Sequence, residues 1–238
     1  TFPMTRPADL GLLFLHALPL DGRMWNDQRW ILPEHSYTPT LYRHGNSVTQ
    51  WAVRCLKDMP HSRFVVVGCS VGGSCALEIL RLAPERVAAT VLIGTKARHD
   101  PDPAGAAAIR RVVKTQGVAA AWQTYWRPLF ANDKSTQAVE TAEHIALEQS
   151  ADDLIRGLTA FHNRSSREDV VAQTQSPTHV VTGDCDDLPG LGYARHLAAM
   201  NRGAHLHVIK GCGHYTPLMR PGETGALISN VVNAAMHD

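Results

Sequence analysis

The sequence predicts an α/β protein built on a mostly parallel sheet of about six strands, with helices on both faces. Short apolar runs recur along the chain with helical patterns between them, an alternation typical of parallel sheets. Residues 64–67 are apolar at every position and mostly β-branched, which indicates a central strand covered on both faces. The predicted strands span residues 10–17, 37–42, 64–69, 87–95, 179–184 and 204–210.

Composition points to a globular protein without a polyanionic partner. The 238 residues are 44% hydrophobic and 19% charged, with a net charge of +1, so no strong field attracts nucleic acid or an anionic membrane. No apolar run approaches the roughly 18 residues of a membrane span, and no secretory signal pattern opens the chain. The five cysteines, an odd number, favour free thiols in a reducing compartment. We therefore expect a cytoplasmic protein that acts on a small molecule; its oligomeric state is not predicted.

One segment interrupts the alternation of strands and helices. Between residues 98 and 176 no convincing strand occurs, and helical patterns cover residues 104–115, 118–130, 136–150 and 152–163. Ligands bind at the carboxyl edge of open parallel sheets, so an insertion between two such strands is expected to form a lid over that edge. The alternative is a set of ordinary packing helices. The predicted division is a core of residues 1–97 and 177–238 with a helical lid of residues 98–176.

The strongest functional signal is Gly68-Cys69-Ser70-Val71-Gly72, which has the form G-x-S-x-G. It follows a predicted strand and precedes a helix predicted over residues 73–83, the context in which this pattern forms a nucleophile elbow. The tight turn exposes the Ser70 hydroxyl and leaves little room for a Cβ at Gly68 and Gly72. It also places the Val71 N–H at a helix N-terminus, where it can donate to an oxyanion.

A serine nucleophile needs a base and an acid that orients the base. Among thirteen histidines, His214 has the most suitable setting, because two glycines precede it just after the last predicted strand. The acid is expected after the strand of residues 179–184, where Asp186 is favoured and Asp184 is the alternative. The resulting order of serine, aspartate and histidine is that of α/β hydrolases. The second oxyanion donor is predicted to be the Leu18 N–H, with the Ala17 N–H as alternative.

Several further side chains are candidates for contact with a substrate, although packing is the simpler role for each. His16 lies in the loop that carries Leu18 and is a candidate to hydrogen-bond that loop or the substrate. The predicted lid supplies aromatic and apolar candidates, namely Trp122, Trp126, Leu129, Phe130, Phe161 and His162. His205 and His207 have a spacing that metals use, but no carboxylate or cysteine pattern accompanies them, so no metal site is predicted.

The chain resembles the 3-oxoadipate enol-lactonase group and its carboxylesterase relatives within the α/β-hydrolase superfamily. The resemblance spans nearly the whole chain, and its motifs are His16-Ala17-Leu18, Met24-Trp25 with Gln28, the elbow, Pro84-Glu85-Arg86-Val87-Ala88, Gly117-Val118 with Trp126, Gly183-Asp184-Cys185-Asp186 and His214. It implies the α/β-hydrolase fold without a cofactor, a triad of Ser70, Asp186 and His214, and oxyanion amides at Leu18 and Val71. The chain departs from the group in a short or missing amino-terminal hairpin and in the sequence Leu41-Tyr42-Arg43-His44-Gly45.

Three functions fit these features. The first is a serine hydrolase that cleaves a carboxylic ester or lactone through an acyl-enzyme on Ser70. The second uses the same triad to hydrolyse a carbon–carbon bond in a diketone-like substrate, and the third is a ligand-binding protein without catalysis. An enol-lactone dicarboxylate requires a cation in the pocket, for which the candidates are Arg43, Arg98, Arg127 and Arg164.

Overall fold

A six-stranded parallel sheet forms the centre of the protein. The computed structural model describes residues 9–130 and 136–237. Every pair of neighbouring strands is parallel, which confirms the predicted parallel sheet, and the strand order is β2-β1-β3-β4-β5-β6. The strands are β1 Leu10–Leu15, β2 Ser36–Tyr37, β3 Arg63–Cys69, β4 Val87–Ile93, β5 Thr178–Gly183 and β6 Ala204–Ile209. All six carboxyl ends therefore meet at one edge of the sheet.

Helices surround this sheet and cover its central strands. Every residue of β3 after Arg63 is buried, and all of β4 is buried, which requires cover on both faces because successive side chains point to opposite sides. The helices are α1 Val48–Asp58, α2 Val71–Leu82, α3 Pro103–Gln116, α4 Val118–Ala121, α5 Thr136–Leu147, α6 Ala151–His162, α7 Glu168–Gln173, α8 Leu191–Ala199, α9 Thr216–Met219 and α10 Pro221–His237. Both α2 and α10 contact β3 and β4. None of the helices in the described part of the chain is long and apolar enough to cross a membrane.

The predicted second strand is mostly wrong. Only Ser36–Tyr37 pairs with β1, and Leu41–His44 forms a 3₁₀ helix instead of continuing the strand. Pro39 lies between the two segments. Because proline has no N–H to donate to a ladder, it ends the pairing after two residues.

The predicted helix over residues 118–130 is present but divided. It starts as α4, widens to a π-helix over Trp122–Trp126 and tightens to a 3₁₀ helix over Arg127–Phe130. Pro128 within the last segment lacks the N–H that an α-helix needs there. π-Helical turns inside longer helices are rare, and those that occur are often found at functional sites.

The segment between β4 and β5 has helices joined by loops in its described part, namely α3, α4, α5, α6 and α7 with the π and 3₁₀ turns of residues 122–130, and no strand. Within it, α3 packs against both α4 and α6, while α6 also contacts the 3₁₀ helix Leu41–His44. Residues 1–8 lie outside the described part of the chain, so the expectation of a short or missing amino-terminal hairpin is not tested.

Candidate active site

Ser70 lies in the turn between β3 and α2, at the carboxyl edge of the sheet. Its φ of 54° and ψ of −116° are strained for a residue with a side chain. The Ser70 N–H donates to the Ile93 carbonyl on β4 at 2.8 Å, which helps to hold the strained residue in place. A Cβ at Gly68 would collide with the Gly72 backbone, and one at Gly72 with the Leu15 carbonyl. The two glycines of the motif are therefore required by backbone contacts on both sides of Ser70.

His214 and Asp186 form a buried pair at the same edge. The His214 Nδ1 lies 2.9 Å from the Asp186 Oδ2, and the two side chains are only 2% and 1% exposed. The other carboxylate oxygen, Oδ1, accepts a hydrogen bond from the Leu188 N–H at 2.8 Å. An ionised carboxylate only accepts hydrogen bonds, so the ring proton lies on Nδ1 and Nε2 is left with a lone pair. His214 is thus arranged to accept a proton through Nε2.

Asp184, the alternative acid, has a different position. It is exposed, and its Oδ1 accepts from the Cys212 N–H at 3.4 Å. That bond ties the loop after β5 to the loop after β6. The structure therefore brings Asp186, rather than Asp184, to the imidazole of His214.

Gly94, at the end of β4, closes the other side of this pair. Its φ is +54°, and a Cβ there would lie 2.9 Å from the His214 Cε1 and 3.0 Å from its Nδ1. A larger residue would displace the imidazole from Asp186. We did not identify Gly94 as a site residue from the sequence, although a glycine within a predicted strand is a signal of close approach.

Of the two predicted oxyanion residues, Leu18 lines the same cavity as Ser70, and Val71 directly follows Ser70. Within residues 9–130 and 136–237, no acceptor is found for the Leu18 N–H or the Val71 N–H. The alternative donor, the Ala17 N–H, is directed to the Met24 sulfur at 3.3 Å. The Leu18 carbonyl accepts from the buried Tyr215 hydroxyl at 2.8 Å, so the loop that carries Leu18 is bonded to Tyr215, the residue after His214.

His16 is buried within this loop and does not line the cavity described below. Its Nε2 accepts from the Leu41 N–H at 2.9 Å, and its Nδ1 lies 3.1 Å from the Ala17 carbonyl oxygen. Burial lowers the pKa of His16 to about 4, so the ring is neutral and both nitrogens are used by backbone. Of the two roles considered for His16, the structure supports the loop hydrogen bonds and not substrate contact.

A cavity of about 290 Å³ opens beside Ser70 and His214. Most of its wall is apolar or aromatic. The lining residues are Leu18, Ser70, Gly94, Lys96, Ile109, Tyr125, Trp126, Leu129, Leu158, Phe161, His162, Arg164, Leu188, Pro189, His214 and Tyr215. The sequence did not reveal Lys96, Ile109, Leu158 or the Leu188-Pro189 pair as wall residues, since no local motif marks them.

Of the predicted aromatic contacts, Trp126, Phe161 and His162 line this cavity, as does Leu129. Trp122 and Phe130 do not; both are fully buried, with ring centroids 5.9 Å apart, and Phe130 stacks on Tyr215 at 4.8 Å. The change from π to 3₁₀ geometry alters the angular spacing of side chains. As a result, the sequence spacing did not show which aromatic residues point inward.

The inserted segment touches the candidate base directly. The Leu129 carbonyl accepts from the His214 N–H at 3.0 Å. A Cβ at Gly213 would lie 2.6 Å from that carbonyl oxygen, so only glycine lets the two backbones approach so closely. The segment that forms part of the cavity wall therefore also fixes the position of His214.

His205 and His207 lie elsewhere, on β6. Their rings stack on His179 of β5 with centroid distances of 5.0 and 5.2 Å. None of the three lines the cavity beside Ser70.

Residues 12–227 match the sequence model of the alpha/beta hydrolase family. The chain belongs to the alpha/beta hydrolase family. A similar protein is the pimeloyl-[acyl-carrier protein] methyl ester esterase of Aromatoleum aromaticum, which is 28% identical over 96% of this chain and 99% of its own length.

Two solved structures share the fold of this alpha/beta hydrolase. A thermophilic esterase from Thermogutta terrifontis superposes with a TM-score of 0.85 at 22% identity, covering 95% of this chain and 90% of its own. The enol-lactonase from Burkholderia xenovorans LB400 gives a TM-score of 0.83 at 17% identity, covering 96% and 94%. At these identities the likeness establishes the fold, and the resemblance to an enol-lactonase group predicted from the sequence is confirmed at that level.

Proposed function

We propose that this chain is a serine hydrolase that cleaves a carboxylic ester or lactone through an acyl-enzyme on Ser70. The observation that carries the proposal is the buried Asp186–His214 pair, with 2.9 Å between the carboxylate and Nδ1, in which His214 lines the same cavity as Ser70. A buried carboxylate has few reasons to face an imidazole unless it orients the ring and stabilises its protonated form.

The reaction follows from these positions. The His214 Nε2 accepts the hydroxyl proton of Ser70 as Oγ attacks the carbonyl carbon. The Leu18 and Val71 amides donate to the oxygen that becomes negatively charged. The tetrahedral intermediate collapses, the C–O bond breaks, and His214 returns the proton to the leaving alkoxide. Water, deprotonated by His214, then attacks the acyl-enzyme. The bond between the acyl carbon and Oγ breaks, His214 returns the proton to the Ser70 Oγ, and the acid is released. No metal or organic cofactor is required by these steps.

Residues 98–176 are proposed to act as the lid of this site. Support comes from the wall of the cavity, to which the segment contributes aromatic and apolar side chains, and from the bond between the Leu129 carbonyl and the His214 N–H. A wall of this kind excludes water from the acyl group and strengthens the electrostatic interactions inside.

Two other functions are compatible with this fold. Hydrolysis of a carbon–carbon bond would use the same triad, and no contact in the cavity favours it over ester cleavage. A ligand-binding protein without catalysis has no need of two unengaged amides beside a strained serine. The name of the Aromatoleum relative, a methyl ester esterase, supports ester cleavage.

The test is a panel of esters and lactones assayed with the wild type and Ser70→Ala. The proposal predicts ester or lactone hydrolysis by the wild type and a fall of about 10⁴-fold or more in kcat for Ser70→Ala, since loss of the nucleophile in such triads removes most of the rate. Ser74→Ala is the matched control, because Ser74 is buried on α2 outside the cavity lining, and it should keep its activity. Equal rates in the wild type and Ser70→Ala would overturn the proposal.

A further inference from the structure

Two cationic side chains line the cavity beside Ser70, and they differ in whether a carboxylate pairs with them. Lys96 and Arg164 line it, and no aspartate or glutamate is present among its described lining residues. Asp100, outside this lining, pairs with Lys96, so Arg164 is the cation to be explained.

Arg164 is the more unusual of the two cations. Its Nη1 donates to the Phe161 carbonyl at 2.8 Å and to the His99 Nδ1 at 3.1 Å, and its Nη2 donates to the Arg98 carbonyl at 3.3 Å. The guanidinium also lies 4.0 Å from the centroid of the Phe161 ring. All of these partners are neutral, and within the described residues no carboxylate comes within ion-pairing distance of Arg164.

Arg164 is partly buried, so its charge is poorly solvated, but the guanidinium remains protonated. Burial lowers the pKa of Arg164 to about 10, so the side chain stays protonated at neutral pH. Burial and then Arg164 itself lower the pKa of both His99 and His162, and His162 is also a wall residue. The electrostatic effect of Arg164 therefore reaches into the cavity wall.

The neighbouring cations are different. Lys96 pairs with Asp100 at 2.7 Å, and the exposed Arg98 pairs with the same carboxylate at 3.2 Å. Arg43 and Arg127 are exposed and do not line the cavity. Of the four arginines considered as substrate cations, Arg164 alone lines this cavity.

A partly buried guanidinium without an acidic partner is costly, and an anion that hydrogen-bonds to it recovers part of that cost. The rest of the cavity wall is mostly apolar, which suits a hydrocarbon chain. We propose that Arg164 forms an anion subsite, and that the substrate is an ester whose acyl chain is apolar in its middle and ends in a carboxylate. This inference rests on the proposed function, because it assigns the acyl group that Ser70 receives.

Arg164 also follows the C-terminus of α6 and bonds to the Phe161 carbonyl there, a contact that stabilises helix ends. A purely structural role would affect every substrate alike. An anion subsite instead affects charged substrates selectively, so the ratio between a charged and a neutral ester distinguishes the two roles.

The experiment compares 4-nitrophenyl hydrogen adipate, whose acyl chain ends in a carboxylate, with 4-nitrophenyl methyl adipate, its neutral counterpart. The wild type should have the higher kcat/KM for the charged ester. Arg164→Gln should lower kcat/KM for the charged ester about 10- to 100-fold, the effect of losing a hydrogen bond to a charged group. For the neutral ester the change should stay within about 3-fold. Arg98→Gln is the matched control and should change neither value by more than about 3-fold.

An unchanged ratio of the two kcat/KM values in Arg164→Gln, or a wild type that prefers the neutral ester, overturns the inference while ester hydrolysis itself stands. Should Arg164→Gln fail to fold, Arg164→Lys retains the charge and loses the two-armed contact, and it should lower the same ratio by a smaller factor. Calorimetry with Ser70→Ala adds a readout that does not need turnover. Monomethyl adipate should bind at least about 10-fold more tightly than dimethyl adipate, and equal affinities contradict the subsite even if the serine mechanism fails.

Discussion

Replacing Asp186 with asparagine tests the orientation of the base. The Leu188 N–H donates to the Asp186 Oδ1 at 2.8 Å, so in Asp186→Asn the amide oxygen stays on that donor. The amide NH₂ then occupies the position 2.9 Å from the His214 Nδ1. Because this group donates, it favours the tautomer with the proton on Nε2, which cannot accept the Ser70 proton.

The expected loss of kcat is large, and Asp186→Asn should leave the structure nearly unchanged. A wrong tautomer in a triad of this kind lowers kcat by about 10⁴-fold, or about 5 kcal/mol in the activation free energy at 1.36 kcal/mol per tenfold. Asp184→Asn is the matched control, since the exposed Asp184 contacts the Cys212 N–H and its amide can still accept there. It should change kcat by less than about 3-fold.

The assay is kcat against pH for a 4-nitrophenyl ester, with the melting temperature of each variant measured in parallel. Comparable losses in Asp184→Asn and Asp186→Asn, or full activity in Asp186→Asn at an unchanged melting temperature, would refute the assignment of Asp186 as the acid.

Two further predictions concern buried polar contacts. Tyr215→Phe removes the hydroxyl that donates to the Leu18 carbonyl at 2.8 Å. Because the carbonyl is then unpaired, the free energy of unfolding measured by denaturant titration should fall by about 1–3 kcal/mol. An unchanged midpoint of the denaturant titration contradicts this prediction. Burial alone would raise the pKa of Glu78, but hydrogen bonds from Arg81 and Arg167 outweigh it and hold that pKa at about 2 instead of 4.5. The carboxylate therefore contributes on the order of 3 kcal/mol to the free energy of unfolding above about pH 4.5, and this contribution is lost as the pH falls towards 2. The free energy of unfolding of Glu78→Gln should depend less on pH than that of the wild type.

The sheet and the elbow were predictable because their signals are local. A β-branched run that is apolar on both faces can be covered on both only in a central strand. The glycines at positions 68 and 72, on either side of Ser70, are required by backbone contacts within one turn. The position of Asp186 beyond the end of β5 was also enough to favour it over Asp184. These features depend on residues close together in sequence.

The cavity wall was less predictable, because its residues come from distant elements. Lys96 follows β4 and Leu188 follows β5, and neither carries a motif. Arg164 was one of four candidate cations in the sequence, and only the packing of the structure shows which of the four lines the cavity. Trp122 and Phe130 were candidates for this wall, with packing as the simpler role, and they are buried outside it. The sequence could not separate them from Trp126, since a regular helical period does not describe a π-helix followed by a 3₁₀ helix. The short second strand escaped prediction because Pro39 outweighed the apolar pattern around it.

The central claim is that Ser70 is the nucleophile activated by His214. Its most direct test is reaction with a fluorophosphonate, followed by mass spectrometry of the peptide that contains residue 70. The account predicts one adduct per chain on Ser70, and a labelling rate in His214→Ala lower by at least about 10²-fold, the contribution of a general base. An adduct on another residue, or equal labelling in the two proteins, would contradict it.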